Sequence, residues 1–246
     1  MHAEKYDIAV LILSFRKKLA DVKRFLDSIY TSVKYAEKNG IKVRVFVLDY
    51  GSDSEVCQYM RSLGFCVIKF SADPGASAMR NYAIIRFCRN CRYIITVDDD
   101  VLLSADSLLK LVNFMDEYGV DIAQPLVLNL NGTVQSKGLY HSFFTGKAFK
   151  YIDDIPQPVM YTSGCCSIIR LKSLMKIGLY DDVIRIQADD LELGLRGWLN
   201  GLRVYYAPVT RVIHVSGFTW RRKGSRRLFH KFFCWMSYKT LSLIHI

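Results

Sequence analysis

The sequence predicts an α/β domain, with a Rossmann-like, mostly parallel central sheet flanked by helices. Three observations carry that expectation. Short apolar, β-branched runs alternate with segments of helical periodicity across short connections, the signature of parallel strand–helix units. At 246 residues, 51% of them hydrophobic, the chain can bury one large core. The run Tyr93-Ile94-Ile95-Thr96-Val97 then stops on three consecutive carboxylates, Asp98, Asp99 and Asp100. The end of such a strand is where open α/β sheets place their ligands.

Each element follows in order. Ile8–Leu13 is an apolar run of buried-strand type. Leu19, Val22, Phe25, Leu26, Ile29 and Val33 recur at helical spacing, and Asn39-Gly40 supplies a C-cap. Val43–Leu48 is the second strand, delivering Asp49 and the turn Tyr50-Gly51-Ser52-Asp53. A helix over 54–62 leads to a third strand, Cys66–Phe70. Asp73-Pro74-Gly75 breaks the chain ahead of a helix over 76–89. The acid-tipped run is the fourth strand, and a helix over 105–118 follows it. Right-handed crossovers bring the ends of strands one, two and four to one edge. Ser14, Asp49 and the aspartate triplet should therefore line a common crevice.

The second half is less regular. Residues 129–160 hold Asn131-Gly132, Gly138, Gly146 and two prolines among aromatics, and read as hairpins and loops. A strand is expected over 161–170, with Gly164 permitting close backbone approach, then a short helix over 172–177. Asp189, Asp190 and Glu192 stand at a predicted helix N-terminus, where acids complement the helix dipole. Two more strands, 204–206 and 211–215, complete the pattern, and the second carries His214.

Charge and cysteines narrow the context. The net charge is +11, yet after Glu192 there is no acid and there are ten bases: Arg196, Arg203, Arg211, Arg221, Arg222, Lys223, Arg226, Arg227, Lys231 and Lys239. That asymmetry suits an anionic partner: a membrane surface, a phosphate-bearing ligand or nucleic acid. The basic run 221–227 feeds an aromatic stretch, 228–235, which looks like a membrane-surface anchor; a helix packed back on the domain is the plainer alternative. Seven scattered cysteines read as reduced thiols in a cytosolic protein. Cys88 and Cys91 form a single CxxC without a second pair at zinc-site spacing. The N-terminus lacks a signal pattern, and no run reaches the roughly 18 apolar residues of a membrane span. Leu241–Ile246 resembles the translated end of a sequencing adapter, which would make it a foreign tail on a chain that continues.

Three adjacent carboxylates at a strand end have two explanations. One is a solvated acidic turn before the next helix. The other is a site for a divalent cation, since oxygen ligands suit magnesium or manganese.

Taken together, several stretches resemble a family. They are the strand ending at Ser14, Val47-Leu48-Asp49-Tyr50-Gly51-Ser52, Gly75 through Arg80-Asn81, and Val97-Asp98-Asp99-Asp100. Ser163-Gly164, Asp189-Asp190-Leu191-Glu192-Leu193 with Arg196, and His214 complete the set. In that order they resemble the family-2 inverting glycosyltransferases of GT-A fold, over about residues 7–217. The resemblance implies a catalytic domain over 1–217, and the basic, aromatic run beyond it reads as a helical extension over 218–240. It implies that Asp49 contacts the nucleotide base, that Arg80 supports base binding, and that Ser14 and Phe15 touch the nucleotide. Asp98 and Asp99 would hold the ribose side, and Asp100 would ligate Mn2+ or Mg2+. Asp190 would be the catalytic base, and His214 a position that in some members completes the metal site. The implied partners are a nucleotide-diphosphate sugar donor and a glycan or lipid-linked acceptor, with an anionic membrane surface nearby. The implied location is cytoplasmic, or peripheral on the inner face of the membrane.

The match has departures. Leu13-Ser14-Phe15-Arg16 stands where the family often has a Pro-Thr-Tyr-Asn type sequence, Asp73-Pro74-Gly75 replaces Asn-x-Gly, and Asp189 replaces a usual Glu. They leave the sugar nucleotide open. A nucleotidyltransferase on a related sheet would need a glycine-rich basic loop after strand one, and Ser14-Phe15-Arg16-Lys17 has no glycine. A non-enzymatic module for anionic ligands gives Asp49, Asp100 and Asp190 no reason to coincide, which also argues against nucleic acid as the partner.

Overall fold

The computed structural model describes residues 5–141, 148–149, 153–184 and 188–215. The expected extension over 218–240 and the tail over 241–246 lie outside the described residues.

The first half runs β1 (Ile8–Phe15), α1 (Leu19–Lys38), β2 (Val43–Tyr50), α2 (Ser54–Ser62), β3 (Cys66–Lys69), α3 (Ala76–Phe87) and β4 (Tyr93–Asp98). The order continues with β5 (Val101–Leu103), α4 (Ser107–Tyr118) and β6 (Ile122–Leu128). Short pieces follow: β7 (Val134–Ser136), β8 (Tyr140–His141), β9 (Ala148–Phe149) and β10 (Gln157–Pro158). The second half closes with β11 (Cys166–Arg170), α5 (Leu171–Lys176), α6 (Asp189–Leu199) and β12 (Val204–His214).

The main sheet has the strand order β10-β12-β6-β11-β4-β1-β2-β3, with β5 on β12 and β7 on β6. Strands β3, β2, β1 and β4 are parallel. β11 lies antiparallel between β4 and β6, and β12 runs parallel to β6. The expected α/β sheet is therefore parallel in its first half and mixed in its second.

Side chains alternate across the sheet and bury on both faces. Ile8, Val10, Ile12, Val45 and Val47 join one core cluster with Val22, Leu26 and Ile29 of α1. Ala9, Leu11, Leu13, Phe46 and Leu48 join the other with Met79, Ala83 and Ile84 of α3. Burial on both sides explains why these strands read as continuous apolar runs rather than alternating ones.

Register sets up the site. Ser14 pairs with Asp49, and Leu13 pairs with Asp98, so the ends of β2, β1 and β4 stand side by side as expected. The triplet is followed directly by β5 rather than by a helix, because Val101–Leu103 pairs antiparallel with β12. The two strands expected over 204–215 are one strand, with a shift in register between Tyr206 and Arg211.

Candidate functional site

Four loops meet at the carboxyl edge of the sheet. After β1, Ser14 is fully buried and its Oγ lies 3.2 Å from Ser52 Oγ. Ser52 Oγ also accepts from the backbone of Lys17 at 3.1 Å, which ties this loop to the one after β2. Phe15 packs edge-on against Tyr50, with ring centroids 6.3 Å apart. Arg16 holds a positive φ of 50°, a strained setting for a side chain of that size and one that clusters at functional sites.

The aspartate triplet divides three ways. Asp99 is nearly buried and its Oδ1 meets Lys17 Nζ at 2.8 Å; burial pushes its carboxyl up to about 7 against the pull of Lys17. Burial, with Asp100 adding, pushes Asp98 up to about 6, while Arg80 and His214 oppose. Asp100 Oδ1 stands 3.2 Å from His214 Nε2, placed there by the pairing of Val101 with His214 and by Val215 N donating to the Asp100 carbonyl at 3.0 Å. Burial opposes charge on His214, but hydrogen bonds to Asp100 and Cys165 lift it to about 10.

Asp98, Asp100 and His214 each offer one ligand atom, and these atoms lie within 4.8 Å of one another. Two hard carboxylate oxygens and an imidazole are donors that a divalent cation could take. Among the described residues this is the one such group of three, so the Cys88 and Cys91 motif does not build a site. Both thiols are free, and burial pushes each up to about 12.

Asp49 sits fully buried at the end of β2, with Oδ2 accepting weakly from Cys57 Sγ at 3.6 Å. Arg80, on α3, forms an ion pair with Asp189 of α6 and lies over the Tyr180 ring, 5.2 Å from its centroid. Asp190, the next residue, takes a different partner. Its Oδ2 accepts from Gly164 N at 3.0 Å, and its Oδ1 from Leu191 N at 2.8 Å. Burial, with the charge of Asp189 adding, pushes Asp190 up to about 6 against those two amides. Glu192 is nearly buried and committed to Arg196, which donates to both of its oxygens and to the carbonyls of Ile177 and Leu179.

The 163–165 segment joins the acidic groups. Gly164 holds Asp190, while the Cys165 carbonyl accepts from Asp98 N at 2.9 Å. Among the described residues, five buried side-chain atoms have no hydrogen-bond partner: Asp49 Oδ1, Ser77 Oγ, Arg80 Nε, Asp99 Oδ2 and Gln135 Oε1. Buried polar atoms are rarely left unpaired; Asp49, Arg80 and Asp99 stand at this edge, and Gln135 touches His214. Such a set fits a polar, hydrogen-bonding ligand.

The structure thus gathers Ser14, Phe15, Asp49, Arg80, Asp98, Asp99, Asp100, Asp190 and His214 about one edge. Sequence reasoning missed Lys17, Ser52, Gln135 and Tyr180. Lys17 and Ser52 lay inside stretches already singled out, but their partners depend on cross-strand register. Gln135 and Tyr180 carried no local signal.

Comparison with solved structures finds the same fold in distant proteins. A crystal structure of GalNAc-T7 with UDP, GalNAc and Mn2+ aligns with a TM-score of 0.70 at 14% identity, covering 87% of this chain and 45% of that one. S. aureus TarS aligns with a TM-score of 0.61 at 16% identity, covering 85% of this chain and 36% of that one. The chain thus spans less than half the length of either. Comparison with curated protein sequences finds no match. A family model described as glycosyl transferase family group 2 matches residues 93–234, from the acid-tipped strand through α6 and His214. With more than half its length matched and its sheet shared with GT-A proteins, the chain belongs to glycosyl transferase family group 2.

Proposed function

We propose that this chain transfers a sugar from a nucleotide-diphosphate sugar to a hydroxyl of a glycan or lipid-linked acceptor, with inversion and with Mn2+ or Mg2+ as cofactor. One observation carries the reading: residues 164 and 165 fasten Asp190 and the metal-capable acids to each other through adjacent backbone groups. A proton acceptor and a cation site held at fixed separation is what a single displacement at a sugar carbon requires.

Asp98, Asp100 and His214 would hold the ion, which when bound stabilises negative charge on the departing diphosphate. Binding would displace the proton that His214 Nε2 directs at Asp100, so affinity should rise with pH. Asp190 accepts the proton of the acceptor hydroxyl as its oxygen attacks the anomeric carbon. The bond from that carbon to the diphosphate breaks on the opposite face, so one step inverts the configuration. Asp49 Oδ1 and Arg80 Nε, both unpartnered, suit the donor and acceptor edges of a nucleotide base. Ser14, Phe15 and the Lys17–Asp99 pair would border the nucleoside. GalNAc-T7, whose sheet this chain shares, was crystallised with UDP, GalNAc and Mn2+.

Release of nucleoside diphosphate from a panel of sugar nucleotides, with Mn2+ or Mg2+ present, tests the proposal. One donor should support turnover, and chelation or Asp100→Asn should abolish it. Turnover that survives both treatments would return the triplet to an acidic turn.

A further inference from the structure

We infer that Gln135 is a positioning residue for His214, its side-chain oxygen accepting the Nδ1 proton so that Nε2 presents a lone pair to the bound cation. The inference rests on the reading that Asp98, Asp100 and His214 hold a divalent ion.

Three observations lead to it. His214 uses its two ring nitrogens in opposite directions: Nε2 stands 3.2 Å from Asp100 Oδ1, and Nδ1 stands 2.9 Å from the Gln135 amide. A neutral imidazole carries one proton, and the nitrogen that faces a cation must be the bare one. The proton then sits on Nδ1 and needs an acceptor. The Gln135 amide stands 2.9 Å from Nδ1, and the Cys165 thiol, which also hydrogen-bonds the ring, is a far weaker acceptor than an amide oxygen.

The second observation concerns the amide itself. It is placed with Nε2 toward the ring, which leaves Oε1 buried without a partner. Amide oxygen and nitrogen exchange places by a half turn about the last side-chain torsion, and the choice is settled by the hydrogen-bond network. A protonated Nδ1 requires the oxygen toward the ring. The charged ring, with a proton on each nitrogen, makes the same demand, so the amide oxygen belongs toward Nδ1 with or without the ion.

The third observation explains how Gln135 comes to point there. Leu128 pairs with Val134 while Val127 pairs with Ser136, so Gln135 is the extra residue of a β-bulge between β6 and β7. Bulges re-aim a side chain and recur beside active sites. The bulge is anchored at its next residue: Ser136 Oγ accepts from Gln124 Nε2 at 3.1 Å, and Gln124 Oε1 accepts from Ser163 N at 2.6 Å. The same strand pair thus fixes both the His214 partner and the 163–165 segment that holds Asp98 and Asp190.

The test measures Mn2+ affinity directly, by calorimetric titration of the wild-type chain, Gln135→Met and Gln135→Glu, with thermal unfolding of each metal-free protein as control. Groups that orient metal-bound histidines typically contribute about 10–100-fold to affinity. Gln135→Met, similar in length but without a strong acceptor, should lose that factor while unfolding near the wild-type temperature. Gln135→Glu, which can only accept, should keep wild-type affinity or better. Because an added charge alone could raise affinity, 15N NMR of His214 in the Mg2+-loaded wild type supplies the second readout, and it should show the proton on Nδ1. Wild-type affinity in Gln135→Met, or a bare Nδ1 in the loaded protein, would overturn the inference and leave the metal site standing. Failure of the wild-type chain to bind Mn2+ or Mg2+ would overturn the metal site and the inference with it.

Discussion

Arg80 and Asp189 form an ion pair between α3 and α6, with side chains only 6% and 12% exposed. The pair assigns different work to two adjacent acids. Asp189 is committed to the guanidinium, while Asp190 turns to the backbone amides of Gly164 and Leu191.

The first expectation separates three acids by function. Asp190→Asn should bind nucleotide and Mn2+ normally yet lose about 10²–10⁴-fold in transfer, the range for a positioned general base. Glu192→Gln should keep turnover and instead lose about 1–3 kcal/mol of stability, since it weakens a charged hydrogen-bond pair with Arg196. Asp189→Asn strands a buried guanidinium and should cost about 3–5 kcal/mol. Turnover by each variant, read beside its unfolding midpoint, distinguishes these outcomes; an inactive Glu192→Gln with an active Asp190→Asn would reverse the assignment.

A pH profile follows from the burial of Asp190. Desolvation, with Asp189 adding, pushes its carboxyl up to about 6, and only the ionised form accepts a proton. The acid limb of kcat/KM should therefore bend near pH 6 and fall tenfold per pH unit below it. The same shift has a stability counterpart of opposite sense. Between the ordinary value of 3.8 and about 6, the folded chain binds this proton and the unfolded chain does not. Stability contributed by Asp190 protonation is thus present at low pH and lost as pH rises through about 6. An acid limb near pH 4 would mean that Asp190 is solvated or is not the base.

Much of this arrangement was legible because it depends on local pattern. The two-sided apolar runs gave β1, β2 and β4, and parallel connection then required Ser14, Asp49 and Asp98 to converge. Helix α2 matches its expected span, Ser54–Ser62, because a turn before it and a glycine after it bound the periodicity. The second half was less legible, since its pairing partners are distant in sequence. β11 inserts antiparallel between β4 and β6, and no local pattern specifies that choice. The extra residue at Gln135 is invisible until β6 and β7 are paired. The Lys17–Asp99 pair depends likewise on where the loops after β1 and β4 meet. Asp190 and His214 stood out through family resemblance rather than spacing, since acids at a helix start and a lone histidine each have ordinary explanations.

Helix α6 is seated by a glycine that neither periodicity nor resemblance singled out. A Cβ on Gly194 would lie 2.3 Å from Tyr161 Cβ and 2.7 Å from the Met160 carbonyl, so backbone must move to admit it. Gly194→Ala should cost about 1–3 kcal/mol, as overpacking usually does. That corresponds to a fall of about 2–4 °C per kcal/mol for a chain of this size. Because α6 carries Asp190 one turn earlier, turnover should drop as well. Gly164→Ala is the control: its Cβ would meet Asp190 Oδ2 at 3.5 Å, ordinary contact distance. An unfolding midpoint for Gly194→Ala equal to that of the unmodified chain would show that α6 can shift without cost.

The last expectation concerns the basic sequence after the described core. No helix among the described residues is long and apolar enough to cross a membrane. Arg221, Arg222, Lys223, Arg226 and Arg227 form the densest cluster of bases, with Phe229, Phe232, Phe233 and Trp235 following. Each base near an anionic surface contributes about 1 kcal/mol, so this cluster alone could retain the protein on anionic lipid. The attraction is screened over about 8 Å at physiological salt, so added salt should release the chain. Truncation after Gly217 keeps every residue placed at the candidate site and should abolish sedimentation with anionic vesicles while sparing donor hydrolysis. Equal sedimentation of full and truncated chains, or indifference to lipid charge, would count against the anchor and favour a segment that packs on the catalytic domain.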